Sequence, residues 1–117
     1  MIVLFCGSRE FSNEKLIAKV MGILPSDTEI IHGGARGADR IAAKLAKERK
    51  MVVVEYPANW NVYGKSAGYI RNKEMLEKGK PNKVYAFFKK GAGNKGTQMM
   101  VKLAEGAKIP TFTFWSE

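Results

Sequence analysis

Little in this sequence can cross-link the chain, hold a metal or span a membrane. It carries one cysteine, Cys6, so no disulfide can form within it. With a single histidine beside that cysteine, the four-ligand set of a structural zinc site cannot be assembled, and neither a metal nor a cofactor is expected. No apolar run approaches the roughly 20 residues that cross a bilayer. The first apolar stretch, Ile2 to Cys6, is too short for a secretory leader and follows no basic segment. No membrane partner is therefore expected, and the expected location is cytoplasmic. Acidic residues are also scarce: 11 Asp+Glu face 20 Lys+Arg, a net charge of +9. That excess selects anionic partners, either phosphorylated small molecules or nucleic acid, without choosing between them.

What is present is the balance of an ordinary globular chain, 45% hydrophobic and 26% charged. The length fits one domain over residues 1–117. Strand and helix patterns alternate from end to end. Ile2 to Cys6 is a continuous apolar run closed by Gly7, the mark of a strand buried on both faces. Asn13 precedes a helix-period set, Leu16, Ile17, Val20, Met21 and Leu24, and Pro25 stops it. Glu29 to His32 reads as a second strand, closed by Gly33-Gly34. Ala38, Ile41, Ala42, Leu45 and Ala46 match the i, i+3, i+4, i+7, i+8 template of an amphipathic helix. Met51 to Tyr56 is a third strand ended by Pro57, and residues 58–66 read as a loop. A third helix is expected from about Ser66 to Lys78, a fourth strand from Lys83 to Phe88, a helix through Met99, Met100, Leu103, Ala104 and Ala107, and a fifth strand from Thr111 to Trp115. Strands separated by helices pair in parallel through right-handed crossovers. The expected fold class is α/β, a Rossmann-like three-layer sandwich whose five-stranded parallel sheet has the order 3-2-1-4-5. Ligands in such sheets bind beyond the carboxyl ends of the strands, at the switch point between strands one and four.

The glycines of this chain fall on that edge. Gly7-Ser8-Arg9 follows strand one. Its glycine lets the backbone approach a ligand, Ser8 offers a hydroxyl, and Arg9 is either a bidentate donor to an anion or a solvated turn residue. His32-Gly33-Gly34-Ala35-Arg36-Gly37-Ala38-Asp39 joins strand two to the best helix, where free N–H groups make an anion site. Arg36 adds charge there. Asp39 either complements the helix dipole or accepts a hydrogen bond from a sugar hydroxyl; His32 reads as a structural strand-end residue. Gly93-Asn94-Lys95-Gly96-Thr97 sits at a third strand–helix junction and has the character of a phosphate cradle, although the Gly-x-x-x-x-Gly-Lys-Ser/Thr spacing is absent. Thr97 would bond a phosphate oxygen or cap the last helix. Between these lies Asn59 to Lys65, where Trp60 and Tyr63 beside Lys65, Arg71 and Asn72 suit a stacked base with a paired phosphate, or simply pack the loop onto the sheet.

Taken in order, Gly7-Ser8-Arg9, HGGARGAD, PANW…YGKSAGYIRN and GNKGT resemble the YspA-like family of the SLOG superfamily, Rossmann-like nucleotide-binding domains, over nearly the whole chain. Residues 33–39 also resemble the G-x-A-R-G-x-D motif of the DNA-processing protein A family, which binds single-stranded DNA. Arg71 with the later glycine-threonine turn resembles LOG phosphoribohydrolases, which cleave nucleoside monophosphates. The LOG motif continues Gly-Thr-x-x-Glu with a catalytic glutamate, and here that position is Met100. A thioether cannot take a proton or stabilise a ribosyl cation, so the resemblance implies the pocket rather than the hydrolysis, unless Asp39 or Glu10 substitutes. No catalytic residue is assigned. The leading expectation is a module that binds a nucleotide or nucleotide-derived small molecule, such as a nucleoside phosphate, an ADP-ribose-like compound or a cyclic nucleotide, as a sensor, effector or sequestering protein. A LOG-like N-glycosidase with a non-standard acid and a single-stranded nucleic-acid binder are the alternatives. Family resemblance further implies a homodimer or higher homo-oligomer.

Overall fold

The two longest apolar runs become the two central strands. In a computed structural model that describes residues 1–117, β1 (Ile2–Gly7) lies between β2 (Glu29–His32) and β4 (Lys83–Lys89), with β3 (Val52–Glu55) and β5 (Thr111–Ser116) at the edges. All five strands are parallel and their order is β3-β2-β1-β4-β5, as the alternating pattern predicts. Leu4 pairs with Ile31 on one side and Val84 on the other.

Side chains alternate across the sheet and so feed two cores. Val3, Phe5, Ile30, Tyr85 and Phe87 face α1 (Glu14–Gly22) and α2 (Ala38–Glu48), whose Ile17, Met21, Ala42 and Ala46 complete one core. Leu4, Cys6, Ile31, Val84, Ala86 and Phe88 face the other way, against Met75 of α4 (Ala67–Gly79) and Met100 and Ala104 of α5 (Lys95–Gly106). This is the three-layer sandwich. Parallel pairing leaves no strand with a free apolar face in the middle of the sheet, which is why β1 and β4 read as unbroken hydrophobic runs.

Local signals set most helix ends. Asn13 Oδ1 accepts from the Leu16 amide at 3.1 Å and opens α1. The segment expected as a loop over residues 58–66 is instead ordered: it holds a one-turn helix, α3 (Trp60–Tyr63), and a 3₁₀ turn over Gly64–Ser66. Asn59 starts it, its Oδ1 accepting from the Val62 amide at 3.2 Å. A single turn has no room for hydrophobic periodicity, so it carried no pattern to read.

The entry to α2 depends on Gly37. Its φ is +84°, a left-handed conformation, and a Cβ there would collide with the carbonyl oxygens of Ser8 and Arg9. This close approach ties the turn after β1 to the start of α2, where the Ala38 amide donates to Ser8 O at 3.4 Å. Gly37→Ala is expected to destabilise the protein by at least about 1–3 kcal/mol, read as a lower urea midpoint at unchanged slope.

Candidate functional site

Because the strands are parallel, β1, β2 and β4 end at one edge of the sheet, and the turns that follow them meet there. They enclose a hollow of about 530 Å³. Gly7, Ser8 and Arg9 form one part of its wall, Ala35, Arg36 and Asp39 a second, and Gly93, Asn94, Lys95, Gly96 and Thr97 a third. Trp60 and Lys65 close it from the α3 side, and Arg71 and Asn72 from the second turn of α4. Gly33 and Gly34 line a second hollow of about 440 Å³ that adjoins the first. Tyr63, expected as a stacking surface beside Trp60, lines neither hollow and is 49% exposed.

The floor is built around Asp39. Its Oδ2 accepts from the Gly33 amide at 3.0 Å and the Ala35 amide at 3.3 Å. The Gly34 amide donates to His32 Nδ1 at 3.0 Å. These bonds correct one expectation: the amides of Gly33, Gly34 and Ala35 already have acceptors inside the protein and are not free to cradle a phosphate. Asp39 organises the turn from within. Burial raises its carboxyl to a pKa of about 6, while the Arg71 charge and the two amide hydrogen bonds pull the other way. Burial lowers the pKa of His32, against an opposing pull from Glu55. With Nδ1 accepting a bond, the neutral ring carries its proton on Nε2, which fits a structural strand-end residue.

Arg71 stitches two turns together. Its Nη1 donates to Gly33 O at 2.5 Å and its Nε to Asn72 Oδ1 at 2.9 Å. Asn72, itself buried, donates on to Gly96 O at 3.4 Å and contacts Met99 Sδ at 3.8 Å. Burial lowers the Arg71 pKa and the neighbouring Asp39 opposes the shift; a guanidinium keeps its proton regardless.

The start of α5 carries open donors, as the amides of Arg36, Gly37, Asp39 and Arg40 do at α2. Asn94 is its N-cap residue, yet the Asn94 side chain makes no cap bond and donates instead to Lys89 O at 3.1 Å and Ala92 O at 3.0 Å. The amides of Gly93, Asn94, Lys95, Gly96 and Thr97 have no acceptor in the protein. Thr97 is 5% exposed, lines the hollow, and its hydroxyl has no hydrogen-bond partner. Unpaired donors at a helix start, where the dipole is positive, are suited to an anion. Five cations, Arg9, Arg36, Lys65, Arg71 and Lys95, line the same hollow against two carboxylates, Glu10 and Asp39.

Sequence reasoning missed part of the wall. Tyr69, Gly68 and Met75 line it from α4, and Cys6, Met99 and Met100 from below. Met75 follows Arg71 by one helical turn and Met100 follows Thr97 by three residues, so helical spacing from the two assigned residues would have found both. Cys6 is buried, and its thiol is pushed well up by that burial and by Asp39, against an opposing pull from Arg71. It is a protonated, unreactive packing group.

These features define a Rossmann-like α/β protein with an anion-suited hollow at the switch point of its sheet. The family model of the YspA, cpYpsA-related SLOG family matches residues 1–63. The Gene 61 protein of Mycobacterium phage D29 is 35% identical over 121 residues, covering 96% of this chain and 94% of that protein. The chain belongs to the YspA, cpYpsA-related SLOG family. Membership points to nucleotide-related binding or processing. No helix is long and apolar enough to cross a membrane.

The raised Asp39 carboxyl has a thermodynamic consequence. The fold favours its protonated form, so the stability this group contributes is fully present below its usual 3.8 and is lost as pH rises through about 6. Asp39→Asn carries no such titration. Between pH 4 and pH 6 the native chain is expected to lose about 2 kcal/mol relative to Asp39→Asn, measured as the difference between their urea unfolding free energies at each pH.

Proposed function

We propose that this protein binds a nucleotide or nucleotide-derived small molecule, with a phosphate on the start of α5. The observation that carries the proposal is the set of unpaired donors there: the amides of residues 93–97 together with the hydroxyl of the largely buried Thr97, opening on a hollow of about 530 Å³. That volume lies within the range of small-molecule sites. Arg71 and Lys95 add charge beside it, and Trp60, 51% exposed, offers a flat face to a base. Sensing, effector action and sequestration all use the same site, and a cytoplasmic location, where such ligands are dissolved, goes with it.

Cleavage of an N-glycosidic bond is the second reading. Met100 supplies no acid, but Asp39 is a buried carboxyl in the wall of the hollow with a pKa near neutrality. A general acid works best when its pKa lies near the working pH. Against it, Asp39 Oδ2 is occupied by two amides.

Self-association is part of the proposal. Strand β5 is a sheet edge carrying Phe112 and Trp115, 47% and 53% exposed. Light scattering is expected to give a multiple of the 13.0 kDa chain mass.

Isothermal titration tests the site. AMP or a related nucleotide, cyclic nucleotide or ADP-ribosylated compound is expected to bind more tightly than millimolar. Thr97→Val, which removes one phosphate donor without changing shape, is expected to weaken binding about tenfold. Absence of binding across that panel overturns the proposal. Incubation of AMP with concentrated protein is expected to release no free adenine; release abolished by Asp39→Asn would establish the second reading instead.

A further inference from the structure

The second hollow is lined by four arginines. Arg9, Arg36, Arg40 and Arg71 face it against a single carboxylate, Glu55. It shares Arg9, Arg36, Arg71 and Trp60 with the first hollow, so the two are continuous around a common wall, while Arg40 belongs to the second alone. Clustered like charges repel one another and are held together only by the fold. Apart from Arg71, which feels the charges of Asp39 and Glu55, the protein does little to neutralise these four. Arg36 meets Glu10 at 3.1 Å in an exposed pair, which contributes little. Arg40 Nε donates to Gly34 O at 3.3 Å and Arg71 Nη1 to Gly33 O; both acceptors are carbonyls, which orient a guanidinium without cancelling its charge. Arg9 has no hydrogen-bond or ion-pair partner.

Guanidinium forks match phosphate geometry bidentately. The first hollow already has its phosphate seat at the start of α5. The arginine cluster is therefore a candidate second seat, in an adjoining hollow that shares Arg71 and Trp60 with the first. We infer that the ligand carries two phosphates separated by at least one ribose, as in a nucleoside bisphosphate or a linear or cyclic dinucleotide. This deepens the nucleotide reading above and rests on it. One phosphate meets Lys95 and Thr97, the other Arg40 and Arg36, and the nucleoside between them lies along Trp60. A continuing nucleic-acid strand is the poorer occupant. Each hollow also contains an exposed carboxylate, Glu10 in the first and Glu55 in the second, and these oppose further phosphates beyond the two seats.

The test is calorimetric titration at fixed ionic strength with AMP, ADP, adenosine 3′,5′-bisphosphate and a 5′-phosphorylated diadenylate. ADP controls for charge, since both its phosphates lie at one end. At least one of the two-ended probes is expected to bind at least about tenfold more tightly than both AMP and ADP, since charge-assisted bonds to one more phosphate carry at least that factor. Arg40→Ala is expected to bring that probe down to the affinity of AMP. Arg40→Gln provides the same readout should the alanine variant melt at lower temperature. Equal binding of one-ended and two-ended probes, or a margin that survives both Arg40 variants, overturns the inference and leaves Thr97-dependent AMP binding standing. Failure of every nucleotide to bind overturns both. Tighter, steeply salt-dependent binding of a single-stranded oligonucleotide of about ten residues overturns the two-phosphate ligand in favour of a strand.

Discussion

The buried carboxylate of Asp39 is the constraint on which the site depends. It stands at the start of α2 yet bonds back to the amides of Gly33 and Ala35, so the turn after β2 is closed on itself. Closing that turn fixes Gly33 O, which in turn holds Arg71. Arg71 and Asn72 then reach across to Gly96 at the start of α5. One carboxylate thus links elements from both faces of the sheet. It does so at an electrostatic cost, since burial disfavours its charged form and the Arg71 charge only partly offsets that.

This linkage divides labour between two helix starts that look alike. Both α2 and α5 begin at glycine-rich turns after a strand and neither has a side-chain cap. At α2 the amides of Gly33, Gly34 and Ala35 are satisfied internally, by Asp39 and His32, while those of Arg36, Gly37, Asp39 and Arg40 have no acceptor. At α5 none of the amides of residues 93–97 has one. The difference lies in where the local polar side chain goes: Asp39 turns back to its loop, whereas Asn94 braces the Lys89–Ala92 turn and leaves the helix end open. An open, positively polarised helix end beside a wall of cations is a physical reason for an anion to sit there rather than on the amides of Gly33, Gly34 and Ala35.

The wall also bears on the choice between the two proposed readings, binding and cleavage. Met100 is buried and contributes packing to the core beneath the hollow as well as its surface. A thioether in that position keeps the floor apolar and offers no proton. The remaining buried carboxyl is engaged by two backbone amides, which favours the proposed binding over cleavage.

Hydrophobic patterning by itself determined the order of elements and the sheet, because β1 and β4 must be buried on both faces and α2 on one. It also marked the strand ends where glycines gather. Gly7, Gly33 and Gly96 are far apart in the chain, and parallel pairing is what brings their turns to one edge. What the sequence could not decide is which amides would be free. A glycine-rich turn after β2 and another after β4 read alike, since hydrogen-bond partners are chosen only when Asp39, His32 and Asn94 have taken their places. Nor could it resolve the second hollow around Arg40, because Arg40 sits in a helix first turn with no local sign of a ligand. Those outcomes belong to tertiary structure, for the physical reason that charge and hydrogen-bond satisfaction depend on distances between residues remote in sequence, whereas periodicity depends only on neighbours along it.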